Sequence, residues 1–121
     1  MELKRVVVTG LGAVTPLGNN VEETWNNLLN GVSGAAPITL FDASSFKTQF
    51  ACEVKDLKVN DYIDRKEARK MDRYAQLAII AAKQAVQDSG MNLDEEDKNR
   101  IGVIYGVGIG VCLPYLHLAC T

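Results

Sequence analysis

Side chains able to do chemistry are few in this chain of 121 residues and unevenly placed. The thiols are Cys52, Cys112 and Cys120, and the only imidazole is His117. No C-x-x-C spacing occurs, and one histidine is too little for the common zinc sites, so no metal centre is expected. The cysteines are odd in number and far apart, which argues against a disulfide framework and for a reducing compartment. Read from the residues alone, they are small buried hydrophobes. No His or Lys stands where sequence can show it activating a thiolate.

Two glycine-rich stretches invite a ligand. Gly10-Leu11-Gly12 begins like the dinucleotide fingerprint G-x-G-x-x-G, but Thr15 holds the sixth position. Pro16 and Leu17 then follow, where the fingerprint would open the helix that holds a pyrophosphate. A tight turn requiring small residues is the expectation. Gly106-Val107-Gly108-Ile109-Gly110 follows a β-branched run and reads as a structural turn.

The third stretch, Arg65-Lys66-Glu67-Ala68-Arg69-Lys70-Met71-Asp72-Arg73, carries five positive and two negative side chains. Asp64 and Glu67 have capping-box spacing, so a helix can start at Arg65. On that helix Lys66, Arg69, Lys70 and Arg73 fall at i, i+3, i+4 and i+7, one basic face. Such a face is either a solvated surface or a docking patch for an acidic protein, where charge steers encounter and fixes orientation.

The background to these features is ordinary. Hydrophobic residues make up 47% and charged residues 23%, as in a globular protein. The formal charge of -2 and a pI near 5.3 give no reason to expect nucleic acid. Three valines after Arg5 are too short for a signal peptide, and the apolar run Leu77–Ala82 is far below a membrane span. A cytoplasmic protein with no membrane insertion is expected.

The elements that must position these residues alternate in type. Arg5–Gly10 reads as a β-branched strand covered on both faces. Asn20 can cap a helix whose Glu23 reaches back, with Val21, Trp25, Leu28 and Leu29 on one face and Gly31 as the stop. Residues 32–49 read as a packed irregular loop, and Phe50–Val54 as a short strand. The strongest period lies in Asp72–Ser89, where Ala75, Ala78, Ala82, Ala85 and Val86 form a stripe suited to close packing. Gly90 ends that helix, and Ile101–Tyr105 reads as a second strand. Strand, helices, strand is an α/β pattern with a right-handed crossover.

Several pieces together resemble a known family. Val6-Val7-Val8-Thr9-Gly10-Leu11-Gly12, Thr15-Pro16-Leu17-Gly18-Asn19, Trp25 to Gly34, Phe41-Asp42, Arg65 to Asp72, Gln87-Asp88-Ser89-Gly90 and Arg100 to Gly110 occur in the order seen in β-ketoacyl-acyl carrier protein synthases of the elongating type. The resemblance runs collinearly over residues 3–110. It implies the N-terminal part of a thiolase-like αβαβα layered fold, incomplete in this chain, with subunits paired as homodimers. It also implies a decarboxylating condensation of an acyl thioester with malonyl-acyl carrier protein. Both substrates would arrive as phosphopantetheine thioesters on acyl carrier protein, with no further cofactor. Lys66, Arg69 and Lys70 match the positions that meet the acidic helix of acyl carrier protein in the family. Ile109 matches an isoleucine bordering the acyl pocket.

The resemblance stops at Gly110, so the family domain is expected over residues 1–110 and a non-matching tail over 111–121. Ala119-Cys120-Thr121 echoes the family's T-A-C-[ST] nucleophile motif, but Leu118 replaces its threonine and Cys120 comes dozens of residues early. His117 lies in neither histidine motif. The expectation is therefore a chain cut off before its catalytic residues and inactive alone. The other readings are a non-catalytic acyl carrier protein-binding module and part of a polyketide ketosynthase.

Overall fold

The computed structural model describes residues 4–108 and is organised around one long helix. Its elements are α1 (Val21–Leu29), β1 (Ala36–Pro37), β2 (Phe50–Ala51), α2 (Arg65–Ala68) and α3 (Arg73–Asp88), with single 3-10 turns at Val59–Asp61 and Lys98–Arg100. The small core is Ile63, Ala68 and Ile80. Val14, Leu57, Val59, Tyr62, Met71 and Ile79 pack around it. Ile80, in the middle of α3, is fully buried.

The first glycine pair is explained by α3. A Cβ on Gly10 would lie 2.2 Å from the Ala85 carbonyl oxygen, and one on Gly12 would lie 2.0 Å from that of Ala81. Both glycines are thus places where one backbone lies directly on another. Alanines at 81 and 85 leave room for this approach, and side chains of α3 secure it. Leu11 donates its N–H to Asp88 Oδ2 at 2.8 Å, and Ala13 donates to Gln84 Oε1 at 3.2 Å. Gln84 Nε2 donates in turn to the Asn19 carbonyl at 2.7 Å. A pyrophosphate would need the backbone that α3 already covers.

Helix α1 forms as its sequence specifies. Asn20 Oδ1 accepts from Glu23 N at 2.8 Å, and the Glu23 carboxylate reaches back to Asn19 N at 2.8 Å, one residue earlier than an ideal capping box. The helix closes in a Schellman motif: Val32 N donates to Asn27 O, Gly31 N donates to Leu28 O, and Gly31 has φ +66°. Ahead of it, Thr15 and Gly18 form an isolated bridge. Gly18 is buried, and a Cβ there would meet Thr24 N at 2.7 Å.

The loop expected over 32–49 contributes a strand. Ala36 pairs with Ala51 and Pro37 with Phe50 in a two-residue antiparallel ladder, so the second strand is shorter than the expected Phe50–Val54. Beside it, Thr39 donates from both its hydroxyl and its N–H to the Glu53 carboxylate.

The β-branched runs differ from expectation. Neither Arg5–Gly10 nor Ile101–Tyr105 forms a strand ladder among the described residues. Val6 is 88% exposed and Ile104 99% exposed. The reason is physical: strand N–H and C=O groups point sideways and need a neighbouring strand, which no described segment supplies.

Candidate functional site

The basic stretch is held on the core by its small and apolar members. Asp64 caps α2 by accepting the Lys66 N–H at 2.8 Å, and Ala68 N closes the turn on Asp64 O at 2.8 Å. Ala68 is buried, and Met71 packs against the same core cluster. With Ala68 facing inward, Lys66, Arg69 and Lys70 are all exposed on the outside of one helical turn.

The basic face is shorter than its spacing predicts. After Ala68 the chain makes three further turn bonds, Arg69 N to Arg65 O, Lys70 N to Glu67 O and Met71 N to Ala68 O. Asp72 is then extended, with φ -66° and ψ 156°. Arg73 therefore begins α3 instead of continuing α2, and its guanidinium lies 3.5 Å from Gln76 Oε1. The sequence period could not show this break, because the i, i+3, i+4, i+7 pattern passes straight through Asp72. Lys66, Arg69 and Lys70 remain together; Arg73 stands on the next element.

Electrostatically the turn is free to act outward. The ion pair among the described residues is Lys98–Asp94 at 3.5 Å, far along the chain, and the three cations at the turn have no carboxylate partner among those residues. Exposed cations of this kind add little to stability and can orient an acidic surface.

Two carboxylates elsewhere are held below the usual range. Hydrogen bonds from the Thr39 hydroxyl, then from its backbone N–H, lower Glu53. The Ser44 backbone N–H, then its hydroxyl, lowers Asp42. Both are local loop devices distant in sequence from the basic turn.

No catalytic constellation is found among the described residues. Cys52 is free and exposed. No group of three or more His, Cys, Asp or Glu could hold a metal among the described residues. Ile109, Cys112, His117 and Cys120, with the whole 111–121 stretch, lie outside the described residues. An open cavity of about 650 Å³ runs along α3, lined by Ile79, Ala82, Val86, Met91, Leu93 and Val103 among others. Sequence reading missed Gln76, which joins α3 to the basic turn. A half-buried glutamine leaves no mark in hydrophobic periodicity.

The fold so assembled is that of ketosynthases. It is similar to the ishigamide ketosynthase/chain length factor, with a TM-score of 0.67 and 40% identity over 74% of this chain and 22% of that one. It is also similar to a type II polyketide ketosynthase solved in complex with its acyl-carrier protein, AntDE:AntF, with a TM-score of 0.59 and 26% identity. That match covers 81% of this chain and 24% of the other. The described residues thus form part of a thiolase-like fold, as helices with one small sheet.

Residues 3–118 match the family described as "Beta-ketoacyl synthase, N-terminal domain", and the chain belongs to that family. Among curated proteins it is 49% identical over 107 residues to 3-oxoacyl-acyl-carrier-protein synthase 2 of Staphylococcus aureus strain COL, covering 88% of this chain. It is 52% identical over 110 residues to the protein of that name from Coxiella burnetii, covering 91% of this chain. The chain spans about a quarter of the length of these relatives, 26% and 27%.

Proposed function

We propose that this chain supplies the N-terminal part of a 3-oxoacyl-acyl-carrier-protein synthase of fatty-acid synthesis, and that Lys66, Arg69 and Lys70 are its docking contacts for acyl carrier protein. The observation that carries the docking role is the geometry of the turn: three exposed cations on one turn, with no ion-pair partner among the described residues, mounted on the core by Ala68. The complex of a ketosynthase neighbour with its acyl-carrier protein supports a partner of this kind.

The reaction is a decarboxylating condensation. A cysteine thiolate takes the acyl group from acyl carrier protein as a thioester, and malonyl-acyl carrier protein then loses carbon dioxide. The carbanion so formed attacks the thioester carbonyl and expels the thiolate, which leaves a 3-oxoacyl thioester on the carrier. Covalent capture divides the step, and donors aimed at the developing oxyanion lower its barrier. Substrates arrive on phosphopantetheine, so the proposal includes no resident cofactor. Ile109 is assigned to the border of the acyl pocket, and residues 1–110 to the family's domain. The working assembly is a homodimer in the cytoplasm. No helix among the described residues is long and apolar enough to cross a membrane.

The polyketide reading draws support from the two structural neighbours, at 40% and 26% identity. The 49% and 52% identity to proteins named 3-oxoacyl-acyl-carrier-protein synthase 2 favours the first reading. The test is titration of the chain with holo-acyl carrier protein. Lys66→Glu with Arg69→Glu is expected to weaken binding at least tenfold at low ionic strength, and the loss should shrink as salt screens the charges. Equal affinity of variant and parent at low salt would remove the docking role.

A further inference from the structure

The C-terminal end of α2 exposes carbonyl groups that a one-turn helix cannot satisfy itself. The last of them, Ala68 O, and the Met71 carbonyl in the loop that follows are both taken by a single side chain from the next helix. Gln76 Nε2 donates to the Ala68 carbonyl at 2.8 Å and to the Met71 carbonyl at 3.3 Å. Gln76 is half-buried, and its own N–H is bonded to Asp72 O at 3.1 Å, within the first turn of α3. Its Oε1 faces the Arg73 guanidinium at 3.5 Å. One carboxamide thus bridges the loop 69–72 from both sides.

Two of the three docking cations, Arg69 and Lys70, lie between the two carbonyls that Gln76 holds. Other ties there are the turn bonds Arg69 N to Arg65 O at 3.4 Å, Lys70 N to Glu67 O at 2.9 Å and Met71 N to Ala68 O at 3.3 Å. Two of these three are long, as is the Gln76 bond to Met71, so the short Gln76 bond to Ala68 is the firm side-chain tie on the segment. We propose that Gln76 is a positioning residue for the docking turn: it holds the Arg69–Lys70 backbone so that both side chains meet the acidic partner without first being ordered. This rests on the docking reading above. Ordering a loop during association weakens binding, and a loop already held avoids that loss.

The test compares Gln76→Met and Gln76→Lys with the parent 121-residue chain, using holo-acyl carrier protein as the probe and amide hydrogen exchange as the second readout. Methionine matches glutamine in length and charge and has no donor, whereas lysine restores a donor to the two carbonyls. Gln76→Met is expected to speed exchange at Lys70 and Met71 and to weaken carrier binding roughly threefold to tenfold. The salt dependence of binding should not change, because no charge has been removed. Gln76→Lys should recover slow exchange at Lys70 and Met71, a readout that its added charge does not mimic. Faster exchange at 70–71 with unchanged affinity would overturn the positioning role while leaving docking intact. If reversal of Lys66 and Arg69 also left affinity unchanged, the docking reading itself would fall and the positioning role with it. Should Gln76→Met lose the fold, Gln76→Leu serves as the second donor-free and uncharged variant, and it too is expected to bind more weakly than the parent with the same salt dependence; affinity equal to the parent's would overturn the positioning role.

Discussion

Two apolar regions of this molecule have similar composition and opposite fates. Along α3, Ile79 and Ile80 sit in or against the core, and Ile80 is fully buried. In the runs 6–8 and 103–104, valines and an isoleucine stand in solvent, with Val8 80% and Val103 81% exposed. Hydrophobicity alone does not separate them. A helix satisfies its backbone within its own segment and needs only one face covered, whereas a strand needs a neighbour for its hydrogen bonds before its side chains can pack. The chain has brought α3 its partners, Gly10, Gly12 and the 57–71 segment, and has brought the β-branched runs none among the described residues.

The comparison is broken most severely at Ile80. Ile80→Ala is expected to cost about 2–5 kcal/mol, read as a lowered urea midpoint with circular dichroism as the signal. A loss below about 1 kcal/mol would mean that the core is not centred there. Next comes the glycine contact: Gly12→Ala places a methyl group against the Ala81 carbonyl and is expected to cost about 1–3 kcal/mol by the same measurement.

A smaller effect depends on acid. Hydrogen bonds from Thr39 lower the Glu53 carboxyl in the folded state, so its contribution is present above the ordinary glutamate value and is lost as pH falls through the lower folded value. Glu53→Gln should melt earlier than the parent near pH 7, and the gap should narrow as pH falls below the ordinary glutamate value, read in thermal scans across that range. A gap that persists unchanged in acid would contradict the assignment. Smallest of all is the opposite end of the comparison. Val8→Ala, at an exposed position without ladder bonds, is expected to shift stability by less than about 0.5 kcal/mol. A shift as large as that of Ile80→Ala would show that the run is packed after all.

Much of the local architecture is legible in the sequence because local rules decide it. Asn20, Glu23 and Gly31 mark the ends of α1, and the alanine period of α3 with Gly90 at its end locates the long helix. The ordered motifs from Val6 to Gly110 point to the family, and residues 3–118 match it. Elements whose formation depends on distant partners are less legible. Arg5–Gly10 and Ile101–Tyr105 have strand composition, but composition does not supply a neighbouring strand. The ladder of Ala36–Pro37 with Phe50–Ala51 pairs a proline of the expected loop with Phe50, a partner no period announces. At the basic turn, Lys66, Arg69 and Lys70 are grouped as their spacing implies. The break at Asp72 and the tether from Gln76 follow from backbone geometry that the charge pattern does not contain.

In the proposed function an acidic partner is met by the packed, basic turn and not by the exposed β-branched runs. Amide hydrogen exchange of the chain with and without holo-acyl carrier protein tests it directly. The expected result is slower exchange at Lys66–Met71 on adding the carrier, with Arg5–Thr9 unchanged. Protection confined to Arg5–Thr9 or Ile101–Tyr105, with Lys66–Met71 exchanging as before, would contradict the account.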